Sequence, residues 1–191
     1  MNIYSAAMIA FMAVWIFLEF GLLFRDRLRG RGGTEKDRGT RVYNILFISA
    51  GMTIAGIVNG RQAFFFPGGR TEAGFWTGYC VMLLGFALRV WAIVVLGSSF
   101  RTTVETHEGQ KVVSGGPYRL VRHPSYSGLV LMGLGYGLAL QNWLSLAVAL
   151  LLPLLPLIYR IRVEEAALVS SMGSEYEDYR KRTKKLIPWI W

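Results

Sequence analysis

Polar and apolar positions in this chain sort into long blocks instead of alternating. Ile3 to Phe24 is an apolar run whose charged interruption is Glu19. Val42 to Val58 is a second, bounded by Arg41 and Arg61, and Phe75 to Leu96 is a third, with Arg89 inside it. Leu129 to Leu140 and Trp143 to Tyr159 are two shorter runs, separated by Gln141-Asn142, a natural hairpin tip. A hydrocarbon core about 30 Å thick is crossed by roughly 20 helical residues. Backbone groups in lipid must be satisfied within the segment, so a crossing run is a helix. The pattern therefore predicts an all-α polytopic membrane protein with five transmembrane helices. The last two are short for full spans and cross either as a tilted pair or where the protein is thin. The first run is too long for the apolar region of a signal peptide and is followed by an Arg-rich stop, so it reads as a span.

The basic residues supply an orientation. Arg25 to Arg41 holds seven Lys and Arg, Asn59 to Ala73 two, Gly97 to Ser125 four, and the chain after Tyr159 seven. Five spans put the three rich segments on one side, which the positive-inside rule makes cytoplasmic, with the N-terminus outside. The net charge of +9 then follows from membrane flanks attracted to anionic lipid. No basic stripe with interleaved aromatics stands apart from those flanks, which argues against nucleic acid as a partner. Composition agrees, with 53% hydrophobic and 17% charged residues. Cys80 is the lone cysteine, so no disulfide framework or thiolate metal site forms within one chain. His107 and His123 lack metal-ligand spacing, and no metal is expected.

Two regions result: residues 1–96 with three N-terminal helices, and residues 97–191 with a cytoplasmic connecting segment, a transmembrane hairpin and an amphipathic C-terminal helix. Gly97–Ser125 and Arg160–Trp191 are too long for simple connectors. In the first, Gly115-Gly116-Pro117 is a turn, and His123 precedes Pro124, which favours extended backbone just before a helix. His123 is open between packing at the interface and donating to a ligand. In the second, Arg160 and Glu164 are four apart and share a helix face. An ion pair at a membrane exit is ordinary, but ionisable groups at membrane depth are costly and mark functional sites. Gly173 suits a helix stop, and Ser174 with Glu177 reads as a capping box. Leu168, Met172, Tyr176 and Tyr179 keep helical spacing and predict an apolar stripe; Trp189 and Trp191 suit the membrane interface.

Other signals have structural readings. Gly133-Leu134-Gly135-Tyr136-Gly137 lies in an apolar run with no preceding strand, so Gly133 and Gly137 predict close helix packing rather than a dinucleotide loop. Gly56 with Gly60, and Gly74 with Gly78, read the same way. Arg89 predicts a paired or snorkelling cation, with Glu19 as its candidate partner.

The stretch Gly116-Pro117-Tyr118 … Arg122-His123-Pro124-Ser125-Tyr126-Ser127-Gly128, with Arg160 … Glu164-Glu165 … Gly173-Ser174-Glu175-Tyr176 … Tyr179 … Pro188, resembles the isoprenylcysteine carboxyl methyltransferase family. The resemblance covers Ser98 to Trp191. The size and five-span layout are similar to small prokaryotic members; the first two spans match only in being hydrophobic. It implies an S-adenosylmethionine-dependent methyltransferase that forms a methyl ester on the carboxylate of a lipophilic, isoprenylcysteine-like acceptor. S-adenosylhomocysteine would be the product, with the site and C-terminus cytoplasmic. By the same resemblance Gln110, Lys111, Val112, Val113, Tyr118, His123, Pro124, Ser125, Tyr126 and Glu164 match cofactor-binding positions. Arg160 matches the acceptor-holding arginine, and Arg160 and Glu164 are the catalytic candidates. Many members have histidine where this chain has Gln110; glutamine still offers a donor and an acceptor. Partners implied are a lipophilic or prenylated carboxylate and membrane lipid, with no obligate protein partner. Membrane reductases using NADPH and phospholipid N-methyltransferases carry a similar Arg-His-Pro-x-Tyr block and are the alternative enzymes; a non-enzymatic membrane scaffold is the third reading.

Overall fold

The computed structural model describes residues 2–28, 40–100 and 112–188. Gln110, Lys111, His107, Trp189 and Trp191 lie outside the described residues. The elements are α1 (Ile3–Leu28), α2 (Thr40–Val58), α3 (Glu72–Leu96), α4 (Pro124–Leu140), α5 (Trp143–Met172) and α6 (Ser174–Arg182), with short 3-10 turns at Gln62–Phe64, Gly97–Ser99 and Gly116–Arg119. Helices α1, α2, α3 and α5 are long and apolar enough to cross a membrane, so the chain is an integral membrane protein. Helix α4 has 17 residues and is about 26 Å long at 1.5 Å per residue, short of a full hydrocarbon core. The expected five spans are thus met by four helices on length and composition.

Helix ends follow local chemistry. Asn142 caps α5 by accepting the Ser145 amide at 3.0 Å. Gln141 sits at φ 52° and pairs both ways with Thr71, accepting its amide and donating to its carbonyl, each at 2.8 Å. The Gln141-Asn142 tip is therefore fastened to the start of α3. Pro124 occupies the first turn of α4, where its missing N–H costs nothing, and α4 begins five residues before the apolar run does. The apolar run also understates α5, which continues past Tyr159 to Met172. Gly173, at φ 55°, ends α5 and turns directly into α6. The expected capping box does not form: Gly173 takes the cap position, no side chain caps α6, and the Glu177 amide bonds the Gly173 carbonyl. The left-handed glycine already reverses the chain, so Ser174 becomes the first helical residue.

Close packing centres on α3 with α4, and on α5 with α2 and α4. In membranes small residues replace the hydrophobic effect as the reason helices approach. A Cβ at Gly85 would lie 2.7 Å from the Gly128 carbonyl oxygen, and one at Gly128 2.6 Å from the Gly85 oxygen. Gly133 and Gly137 meet Ala149 and Leu146 of α5, and Gly74 and Gly78 meet Gln141 and Ala139. The expectation for Gly56 and Gly60 fails: a Cβ at Gly56 would meet only the Tyr136 hydroxyl at 3.5 Å, and one at Gly60 only a carbonyl of its own turn. Helix α1 takes little part in close backbone packing among the described residues. It reaches the bundle through long side chains, Phe11 onto Met82 and Met132, and Leu22 onto Ile93 and Phe100.

Candidate active site

The site is assembled where the apolar bundle meets the polar segments after α3 and around α6. Residues 120–123 pair with residues 184–185: the Arg122 amide donates to the Lys184 carbonyl at 2.8 Å, the His123 amide to Lys185 at 3.1 Å, and the Lys184 amide to Leu120 at 3.2 Å. Leu120 keeps helical backbone angles, and His123 lies at φ −123°, ψ 56°, not in the extended backbone expected before Pro124. Ser127 Oγ donates to the Leu186 carbonyl at 2.6 Å. Arg122 fastens this seam. Its Nε meets Glu165 Oε1 at 2.7 Å, and its Nη1 donates to the Thr183 and Arg180 carbonyls. The segment after α6 is thereby strapped across the Arg-His-Pro motif.

A second cluster lies beside it on α5. Arg160 Nε donates to the Tyr126 hydroxyl at 2.6 Å and to Glu164 Oε1 at 3.1 Å. The same Tyr126 hydroxyl donates to Glu164 Oε1, and Arg160 Nη1 donates to Thr40 Oγ1 on α2 at 3.2 Å. The i,i+4 pairing of Arg160 and Glu164 read from spacing is thus present, with Tyr126 completing it. His123 stacks on Tyr126, ring centroids 5.6 Å apart at 14°. Its Nδ1 lies 3.6 Å from Glu164 Oε2 and its Nε2 3.4 Å from Glu165 Oε1. The latter contact is close but off hydrogen-bond geometry, and among the described residues Nε2 is buried without a hydrogen-bond partner.

Both clusters face one cavity of about 560 Å³, within the range of small-molecule sites. Its polar end is lined by Arg122, His123, Tyr126, Arg160 and Glu164, with Tyr118, Val112 and Val113 beside them. From there it runs between α1 and α2, past Met12, Ile16 and Phe20 on one side and Ile45, Ile48 and Met52 on the other. Ile16, Phe20 and Ile45 are exposed on the outer surface of those apolar helices. A ligand filling this space has one end for charged groups and one for lipid.

Of the residues expected at the site, Val112, Val113, Tyr118, His123, Ser125, Tyr126, Arg160 and Glu164 line this cavity. Pro124 is fully buried at the start of α4 and contributes geometry, not lining. Ser125 Oγ accepts Arg89 Nη1 at 2.7 Å, so that hydroxyl is engaged by the protein. The Val112 amide reaches Glu175 Oε1 at 3.4 Å.

Sequence reasoning left other lining residues unassigned. Arg122 was part of the motif but had no role, and its strapping of residues 183–186 needed the tertiary seam. Arg41 and Asn44 enter from α2, and Tyr176 and Tyr179 from α6; the predicted stripe is divided at Gly173, Leu168 and Met172 lining the cavity from α5 and the two tyrosines from α6. Tyr179 donates to the Tyr118 carbonyl at 2.7 Å, and burial pushes its phenol up to about 12. Burial also pushes Tyr118 and Tyr176 above the ordinary phenol range, helped at Tyr118 by Tyr179 and Glu164 and at Tyr176 by Glu165. All three stay neutral near pH 7.

Comparison with known proteins follows the same geography. The family model described as isoprenylcysteine carboxyl methyltransferase matches residues 77–170, from within α3 through nearly all of α5. A probable protein-S-isoprenylcysteine O-methyltransferase of Oryza sativa subsp. indica is 32% identical over 117 residues, 60% of this chain and 61% of that protein. The protein-S-isoprenylcysteine O-methyltransferase of Tribolium castaneum is 34% identical over 134 residues, 68% of this chain and 47% of that one. Its Schizosaccharomyces pombe counterpart is 39% identical over 111 residues, 57% and 47% respectively. The chain thus spans about three fifths of the rice relative and about half of the other two. A solved structure of the eukaryotic intramembrane Ras methyltransferase, isoprenylcysteine carboxyl methyltransferase, superposes with a TM-score of 0.64 at 22% identity. The superposition covers 98% of this chain and 68% of that one, and it carries the fold. On the family model's match and the identities of 32–39% to these relatives, the chain belongs to the isoprenylcysteine carboxyl methyltransferase family.

Proposed function

We propose that the chain catalyses methyl-ester formation on the carboxylate of a lipid-bearing, isoprenylcysteine-like acceptor, with S-adenosylmethionine as donor. The observation that carries this reading is the single cavity with Arg160, Glu164 and His123 at one end and a lipid-facing gap between α1 and α2 at the other. A water-borne donor and a membrane-borne acceptor need such a two-solvent site. The basic flanks and the family motifs support placing its polar end on the cytoplasmic side. With α4 taken as a short fifth span, the N-terminus lies outside.

The residues present fit the donor molecule. The His123 imidazole lies between the Glu164 and Glu165 carboxylates on the cavity wall, and its Nε2 makes no well-aligned hydrogen bond among the described residues, which suits it to a ligand's polar atom. The Glu164 carboxylate offers an acceptor to an ammonium group, and the neutral tyrosines 118 and 176 give aromatic surface beside Val112 and Val113. When bound, S-adenosylmethionine supplies an electrophilic methyl on a sulfonium.

Arg160 is assigned the acceptor carboxylate. Its Nε is held by Tyr126 and Glu164 and its Nη1 by Thr40, so an incoming carboxylate would compete at the guanidinium with partners already in place. Guanidinium–carboxylate pairing fixes orientation as well as charge. A carboxylate oxygen held by Arg160 would take up that methyl as the carbon–sulfur bond gives its electron pair to sulfur, so that a thioether would leave and the acid would become a methyl ester. The acceptor is already ionised near neutral pH, so no proton has to move. Arg160, itself aimed by Tyr126, holds the nucleophile in line, and alignment of this kind can contribute about 7–11 kcal/mol. The apolar walls of α1 and α2 exclude water from the attacking oxygen.

The test is a transfer assay in detergent or vesicles with radiolabelled S-adenosylmethionine and N-acetyl-S-farnesylcysteine, beside thermal shift with S-adenosylhomocysteine and with NADPH. Base-labile methyl incorporation with stabilisation by S-adenosylhomocysteine supports the reading. Stabilisation by NADPH alone would overturn it in favour of a reductase, and methyl transfer to phospholipid amine alone in favour of an N-methyltransferase.

A further inference from the structure

Helix α1 meets the bundle through long side chains instead of close backbone packing, and polar ties join the apolar contacts. Arg89 of α3 is buried in the apolar region and forks onto Glu19 of α1, Nε to Oε1 at 2.7 Å and Nη2 to Oε2 at 2.9 Å. Its remaining nitrogen, Nη1, donates to Ser125 Oγ in the first turn of α4 at 2.7 Å. Glu19 Oε1 also accepts Trp15 Nε1 at 3.0 Å. Nearer the end of α1, Arg25 Nη2 donates to the Phe100 carbonyl at 2.9 Å. The contrast with α3 and α4 is sharp. Those helices meet at glycines whose added Cβ would strike backbone, whereas a Cβ at Gly21 of α1 would meet nothing within 4 Å among the described residues.

Such a long two-residue bridge keeps α1 at a distance. Arg89, Glu19 and Trp15 all line the cavity, as do Met12, Ile16 and Phe20 of the same helix. Nothing in lipid drives an apolar helix to a fixed position, because tails are as apolar as leucine. A polar bridge with directional bonds does fix one. We propose that the Glu19–Arg89 pair is a positioning strut that sets the width of the lipid groove between α1 and α2, and, through Ser125, ties that wall to the turn carrying Tyr126. This rests on the proposed function insofar as the groove is where the acceptor's lipid lies. Arg89 and Glu19 act on the acceptor through the wall they hold, not as catalytic residues.

The decisive variant removes both charges, Glu19→Leu with Arg89→Leu. Replacing even a buried ion pair by apolar residues is often neutral for stability, and here Glu19 is only partly buried, so a merely structural pair predicts an unchanged protein. The strut predicts an acceptor KM raised about tenfold or more, the equivalent of one charged hydrogen bond, with S-adenosylhomocysteine affinity within about twofold of the unaltered chain. Arg89→Lys, which keeps charge but loses the fork, should fall between. A readout independent of catalysis is the distance between spin labels at Phe17→Cys on α1 and Leu46→Cys on α2, in a Cys80→Ser background. It should shift and broaden in the double variant. An unchanged acceptor KM or an unchanged 17–46 distance overturns the strut. Loss of S-adenosylhomocysteine binding in the double variant overturns it too, since the pair would then serve the cofactor end. If the unaltered chain transfers no methyl group at all, the proposed function fails, and the 17–46 distance alone decides the strut.

Discussion

The Nε of Arg160 donates to the Tyr126 hydroxyl at 2.6 Å, joining the middle of α5 to the first turn of α4. Glu164 closes the cluster one helical turn further along. A guanidinium buried at the polar end of a lipid-facing cavity is expensive unless it is paired, and here its pairing also aims it. Arg160→Ala should lower methyl transfer by about a hundredfold or more, the scale of a lost charged contact to the reacting group. S-adenosylhomocysteine affinity should change by less than about threefold. Arg160→Lys keeps the charge but not the planar fork and should recover only part of the rate. Isothermal calorimetry beside initial rates separates the two effects; equal loss of binding and rate in Arg160→Ala removes the acceptor role.

Glu164 should behave the opposite way. It accepts from Tyr126 and Arg160 and lies 3.6 Å from His123 Nδ1. Glu164→Gln keeps the shape and removes the charge. If the carboxylate holds the cofactor's ammonium group, S-adenosylhomocysteine affinity falls about tenfold to a hundredfold, the value of a hydrogen bond to a charged group. Calorimetry at saturating salt-matched conditions checks this, and an unchanged affinity sinks the assignment.

Glu165 carries a different load. Arg122 lies at 2.7 Å, His123 at 3.4 Å, and Arg180 and Lys185 each at 3.9 Å from its carboxylate. Glu165→Gln leaves Arg122 and its neighbours facing a neutral amide. Breaking a buried pair from one side costs about 3–5 kcal/mol, and here the loss falls on the seam between residues 120–123 and 183–186. Backbone amides of Arg122, His123 and Lys184 should exchange faster in hydrogen-exchange mass spectrometry, while α3 and the body of α4 stay protected. Uniformly unchanged exchange would show that the backbone pairing alone holds the strap.

Some of this was legible in the sequence for a physical reason. Lipid forces apolar runs into helices, so α1, α2 and α3 emerge close to the blocks that predicted them. Glu19 and Arg89, single charges in two separate apolar blocks, had little choice but to find each other. The limits are equally physical. Charged residues after Tyr159 end an apolar run but not a helix, because Arg160 and Glu164 stabilise the next turn of α5; the pattern therefore misplaced that end. Ser174 and Glu177 had the spacing of a capping box, but Gly173 had already turned the chain. Ser125 matched a cofactor position by motif, yet its hydroxyl meets Arg89 from another helix. Asn44 carries no motif at all, and only the placement of α2 brings it to the cavity.

The glycines of α3 and α4 give the sharpest stability contrast. Gly128 faces the Gly85 carbonyl and the Arg89 backbone so closely that a methyl group would sit 2.6 Å and 2.8 Å from backbone atoms. Backbone cannot rotate aside as a side chain does, so Gly128→Ala must part α3 from α4. Overpacking of this kind typically costs about 1–3 kcal/mol. It would also displace Arg89 and the Ser125 turn, so melting temperature and acceptor KM should worsen together. Gly21 of α1 is the control. It is helical, exposed and has nothing within 4 Å. In water, Gly→Ala in an exposed helix gains up to about 1 kcal/mol from backbone entropy. Gly21→Ala should therefore leave the melting temperature equal or higher in detergent. If Gly128→Ala proved as harmless as Gly21→Ala, α3 and α4 would not be packed backbone to backbone, and the rigid floor beneath Tyr126 would have to be sought elsewhere.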